Sequence, residues 1–111
     1  SLHRLLWVPG YTNEARHASL IRLWSVDHEG VIKTIRQRLP RLESRSWIEQ
    51  LCEWIATEEV LELDAALISS WSQQTQLYTN VNERPERKAL VSMHGKDAIV
   101  DLVFNSLLET N

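Results

Sequence analysis

Helical spacing of apolar residues recurs along this chain between a few breakers, and that punctuation constrains its fold more than any other feature. The breakers are Pro9-Gly10, Pro40, Pro85 and Gly95. Proline lacks the N–H that a helix interior uses, and glycine loses the most backbone freedom there. Three glycines and three prolines in 111 residues supply little of the turn chemistry that a many-stranded sandwich or barrel requires. The stretches between the breaks are rich in Leu, Ala, Glu and Arg, which are strong helix formers. The expectation is an all-α fold of six to seven helices in one domain over residues 1–111.

The individual segments follow from caps and stripes. "SLHRLLW" reads as a short helix closed by Pro9-Gly10. Thr12 or Asn13 caps the next, with Ala15, Ala18, Ile21 and Trp24 at helical spacing. Asp27 opens a third helix with Val31, Ile35 and Leu39 on one stripe, ended by Pro40. Ser46-Trp47-Ile48-Glu49 has the form of a capping box, followed by an apolar face of Trp47, Leu51, Trp54 and Ile55. Thr57 is placed to cap a fifth helix, with Val60, Leu63, Leu67 and Trp71 as its stripe. "SQQTQLYTNVNE", residues 72–83, loses helical periodicity and reads as the longest loop, with "QLYTNV" weakly alternating. Pro85 suits a first helical position, and Leu90 and Met93 face inward before Gly95 ends that helix. Asp97 caps the last, whose inward residues are Ala98, Ile99, Leu102, Val103 and Leu107.

Part of the pattern repeats. Residues 7–25 align with 54–72 at a shift of 47, pairing Trp7 with Trp54, Ala18 with Ala65, Leu20 with Leu67, Ile21 with Ile68, Trp24 with Trp71 and Ser25 with Ser72. Helical hairpins that stack at a period of roughly 40–47 residues characterise HEAT and armadillo arrays. The chain resembles a short HEAT-like α-solenoid in this respect, and the resemblance implies stacked hairpins that present a protein-binding face. The match stops at residue 25, because positions 26–35 and 73–82 share nothing at the same shift. A compact multi-helix bundle is the alternative arrangement.

Charge is unevenly distributed. The net charge is −3, yet residues 1–45 carry +4, residues 46–83 carry −7 with no Lys or Arg, and residues 84–111 balance. The cluster Lys33, Arg36, Arg38, Arg41 and Arg45 lies at the end of the third helix and beyond it, where cations also complement the helix dipole. The acidic series from Glu49 to Asp64 occupies the next two helices, so the two surfaces either pair with each other or steer a charged partner.

Chemistry-bearing motifs are absent from the sequence. The four histidines lack the i, i+4 spacing of helical metal ligands, and Asp27-His28-Glu29 reads as a cap rather than a ligand set. There is no nucleophile elbow, phosphate-binding glycine loop or dinucleotide turn. Cys52, the lone cysteine, excludes an internal disulfide and sits on an apolar helix face, as an inert thiol does. No apolar run approaches the ~18–20 residues of a membrane-spanning helix. His94, beside Gly95, is placed to interact with the last carbonyls of its helix.

The expected function is therefore a non-catalytic, cytoplasmic module for protein–protein interaction or scaffolding, without a cofactor or a metal. It reads as a fragment of a larger protein, since the chain starts at Ser1 and its only methionine is Met93. The alternatives are a nucleic-acid-associated domain that uses the basic 33–45 segment, or a regulatory domain of a larger enzyme. Trp24, Trp54 and Trp71 are expected in the core. Trp7 and Trp47, with the five basic residues of 33–45, are the expected interface, because tryptophan and arginine dominate binding hot spots.

Overall fold

The computed structural model describes residues 2–73 and 83–110, and among them every regular element is helical. A 3-10 helix at Leu2–Leu6 precedes α1 (Asn13–Val26) and α2 (His28–Arg38). A 3-10 turn at Leu39–Arg41 leads to α3 (Arg45–Glu58), and another at Leu61–Leu63 leads to α4 (Asp64–Gln73). After residues 74–82 come α5 (Pro85–His94), a third turn at Lys96–Ala98, and α6 (Ile99–Thr110). The principal extents are 37 × 29 × 26 Å, so the helices form a compact bundle. The loop expected over 72–83 lies mostly outside the described residues, as does its weakly alternating piece, and so does the side chain of Leu107.

α3 buries the widest face, and its sequence shows why. Trp47, Ile48, Leu51, Cys52, Trp54 and Ile55 are all buried, a face too wide for one neighbour. α1 and α5 pack against it from different sides. α4 crosses α5 and rests on α2 and the Leu39–Arg41 turn, contributing Ala66, Leu67 and Ile68. Fully burying a Leu or Ile side chain contributes about 1.5–3 kcal/mol, so this shared core dominates stability. Trp24 closes one edge, its ring nearly perpendicular to that of Trp54 at 5.1 Å between centroids.

Several helix ends form as the residue types dictate. Thr12 Oγ1 accepts from the Ala15 N–H at 3.1 Å, and Asp27 Oδ1 from the Gly30 N–H at 3.0 Å. Pro85 takes the first position of α5, and Gly95 at φ 90° ends that helix in a conformation L side chains rarely adopt. Val31, Ile35 and Leu39 are fully buried, as their stripe predicts.

Other ends differ from expectation, each for a physical reason. The cap of α3 is Ser44, whose Oγ receives the Trp47 N–H at 3.4 Å. Ser46 lies inside the helix and accepts from Asn13 Nδ2 at 2.9 Å, while Glu49 pairs with Arg45 at 3.2 Å instead of capping. α3 runs through Thr57 because its stop is Glu59, a non-glycine residue in the left-handed region at φ 53°. The Val60 N–H then closes on the Ile55 carbonyl at 3.1 Å in a Schellman-type ending. Asp97 sits inside the Lys96–Ala98 turn and does not cap α6. α1 buries Ser19, Leu20 and Leu23 rather than the Ala15–Ala18–Ile21 stripe, leaving Ile21 exposed. Two leucines remove more apolar area from water than two alanines, and Trp24 still reaches the core from the edge of that face.

Candidate functional site

α6 has the sequence IVDLVFNSLLET, seven of whose twelve residues are Ile, Val, Leu or Phe. One helix face needs fewer. Gly95 turns the chain so that Ile99 is buried and Leu102 and Val103 pack partly against the core. Val100, Phe104 and Leu108 remain, at 76%, 60% and 59% exposure. Their i, i+4, i+8 spacing makes a continuous ridge on the outer side of α6, about 12 Å long at 1.5 Å per residue. The neighbouring row is Asp101, Asn105 and Glu109, all exposed.

On its other side α6 forms a groove with α4, about 720 Å³ in volume and lined by Ile68, Trp71 and Val103, with Arg36 and Glu109 also reaching it. A smaller cleft of about 500 Å³ separates α3 from α5 and carries Glu49, Glu53 and Glu83 over Cys52 and Ala89. A third, of about 560 Å³, lies between α1 and α3. Among the described residues, no group of three or more His, Cys, Asp or Glu side chains is placed to hold a metal ion. No described helix is long and apolar enough to cross a membrane.

A polar cluster lies inside the bundle. Glu86 Oε2 accepts from Ser70 Oγ at 2.7 Å and from Arg84 Nη2 at 3.0 Å, and Arg84 Nη2 also reaches the Ser70 carbonyl at 3.3 Å. Ser70 and Glu86 are fully buried and Arg84 is 3% exposed, so this ion pair joins α4 to the start of α5 away from water. Burial pushes the Cys52 thiol well up from its ordinary value, with the carboxylates of Glu86 and Glu49 adding to the effect and Arg84 opposing it. That holds Cys52 as an unreactive neutral thiol at physiological pH.

The residues expected at an interface separate into three kinds of environment. Trp47 is 1% exposed and belongs to the core, contrary to expectation. Because the cap is Ser44 rather than Ser46, Trp47 stands at the third position of α3 and faces inward. The Arg16 guanidinium lies over its ring at 5.8 Å and donates to the Val8 carbonyl at 3.1 Å. Trp7 is half-buried against the core. Lys33, Arg36, Arg38, Arg41 and Arg45 are all exposed. Two of them are engaged within the fold: Arg36 donates to the Glu62 carbonyl at 3.1 Å, and Arg45 pairs with Glu49. His94 meets Asp64 at 2.8 Å, tying the end of α5 to the start of α4, rather than its own helix end.

The ridge Val100–Phe104–Leu108 was not among the expected interface residues. Its signal was present as an excess: α6 holds more large apolar residues than a single buried stripe uses. Compared with known proteins, the chain matches no protein-family model, no curated protein and no solved structure.

Proposed function

We propose that this chain is a non-catalytic helical module that binds another protein, as a scaffold or regulatory domain. The observation that carries the reading is the α6 ridge, three large apolar side chains in one continuous row with more than half of each exposed. A row of this kind on a folded domain marks a surface that another molecule covers. The lone buried thiol of Cys52 supports a reducing, cytoplasmic setting. Kinship with HEAT-like hairpins belongs to the same proposal and draws support from the matching ends of α1 and α4. Leu20 and Leu67 are both fully buried there, and Ser25 and Ser72 each donate to the carbonyl three residues back, at 2.7 and 3.0 Å. The leading halves differ, since Trp7 follows a short 3-10 helix and Trp54 lies within α3.

The test is a pull-down from lysate of the source organism at low and moderate salt, with the wild-type chain beside Phe104→Glu. A protein retained by the wild type at both salts and lost from the variant is the expected result. Identical captures by the two proteins overturn the reading. Nucleic acid lost as salt rises, and dependent on Lys33, Arg38 and Arg41, replaces it with the basic-surface alternative.

A further inference from the structure

We infer that the partner of the α6 ridge is a basic amphipathic helix of another protein. Its apolar face would lie on Val100, Phe104 and Leu108, and its lysines and arginines against the row that begins at Asp101. This rests on the reading of the ridge as a protein-binding face and adds the chemistry of what binds there.

Three observations on the same helix lead to it. The first is shape. An i, i+4 row standing out from a helix packs into the groove between the equivalent rows of a second helix, which is the commonest way two helices meet. No strand edge exists among the described residues, so pairing with an extended segment has no template on this surface.

The second is charge. The row next to the ridge, one residue on, is Asp101–Asn105–Glu109, and Asp97 lies in the 3-10 turn that leads into the helix; all four are exposed. Residues 97–111 contain no Lys or Arg, and Lys96 lies in the turn before α6. Arg36 of α2 shares the α4–α6 groove with Glu109 at the far end of the row, so Asp101 is the acid that most nearly flanks the ridge without a cation on its own helix. A partner with basic residues beside its apolar stripe meets this edge with opposite charge, which raises its association rate and fixes its orientation.

The third concerns the other occupants. A second copy seated ridge to ridge by two-fold symmetry would bring the same acidic edge, and offers no basic side chain over residues 97–111 to answer it. An anionic membrane surface is repelled by that edge as well.

The experiment uses the whole chain and two fluorescein-labelled peptides of about five helical turns, with leucines at i, i+3, i+4 and i+7 spacing. One peptide carries lysine at every other position and its counterpart carries glutamate. Binding is followed by fluorescence anisotropy at physiological salt, and the protein's own oligomeric state by sedimentation. The lysine peptide is expected to bind at least about tenfold more tightly than the glutamate peptide. Phe104→Glu and, separately, Val100→Ser should each weaken it by about tenfold or more. The triple variant D97K/D101K/E109K should reverse the preference between peptides.

Equal binding of both peptides, still dependent on Phe104, overturns the basic partner while leaving the ridge as a binding face. Binding that ignores Phe104 and Val100, or no binding of either peptide, overturns the inference at this surface. A dimer of the wild type that Phe104→Glu dissociates assigns the ridge to a second copy and overturns it equally.

Discussion

Trp47 stands at the third position of α3 with its indole 1% exposed and the Arg16 guanidinium over its ring. Truncation there opens a cavity in the buried core beneath Arg16. Trp47→Ala is expected to cost about 3–5 kcal/mol by urea or thermal unfolding. A loss under about 1 kcal/mol would return Trp47 to the surface. Cys52 gives a second residue-scale expectation, through pH. Its thiol keeps its proton in the native state at pH values where the unfolded chain has lost it, since burial raises its pKa. The native state then binds more protons than the unfolded state, so this contribution is fully present below the unfolded pKa, near 8.5. It declines above that pH by up to about 1.4 kcal/mol per unit until the native pKa is reached. Cys52→Ala should flatten the fall of stability above about pH 8.5 relative to wild type; parallel curves for the two proteins refute it. At this scale the sequence was a good guide to Val31, Ile35, Leu51 and Leu67, whose types admit one environment. It was a poor guide to Trp47, because a tryptophan suits a core and an interface equally well and a two-residue difference in where the helix starts decides between them. Arg84 and Glu86 were unmarked, since charged side chains read as solvated until a fold buries both together.

Gly30 shows how an element's end constrains its interior. A Cβ built at Gly30 would stand 2.0 Å from Asp27 Oδ2, in the space occupied by the carboxylate that caps α2. Glycine to alanine within a helix ordinarily stabilises by roughly 1 kcal/mol. Here the gain is cancelled by loss of the cap, itself worth about 0.5–2 kcal/mol. Gly30→Ala is therefore expected to leave stability unchanged or lower it, and to gain its usual benefit only in the background of Asp27→Ala. A single variant more stable than wild type by about 1 kcal/mol would sink this account. Starts that used a Ser, Thr, Asp or Pro in its favoured role were visible in the sequence, as at Thr12, Asp27 and Pro85. Ends that departed from those roles were not. α3 stops at Glu59, a residue type that gives no signal of a left-handed turn, so Thr57 was placed outside a helix that contains it. The excess of apolar residues in α6 was visible too, but periodicity alone does not say which of two apolar rows a bundle will bury.

Across the whole molecule, stability and recognition draw on different surfaces of the same helix. Ile99, Leu102 and Val103 hold α6 to the bundle, while Val100, Phe104 and Leu108 contact solvent. Replacing all three exposed residues by serine should change stability by less than about 1.5 kcal/mol, about 0.5 kcal/mol for each surface substitution, and should lower dye binding to exposed apolar surface. A large loss of thermal stability would show that something already covers the ridge in solution. The all-α character was legible in the sequence because periodicity and breakers agree along most of its length. The arrangement was not, since the 47-residue match fixes local likeness and not how helices distant in sequence are brought together. The Ser70–Arg84–Glu86 cluster has a consequence for connectivity. It clasps residues on both sides of 74–82 in the interior of the bundle, so α4 and α5 are tied by side chains as well as by the chain between them. A chain severed within that stretch would keep its two pieces, one carrying α1 to α4 and the other α5 and α6, in register through this clasp and the apolar contacts around it. The protein is in that sense already divided into two complementary parts, of which the shorter carries the exposed ridge.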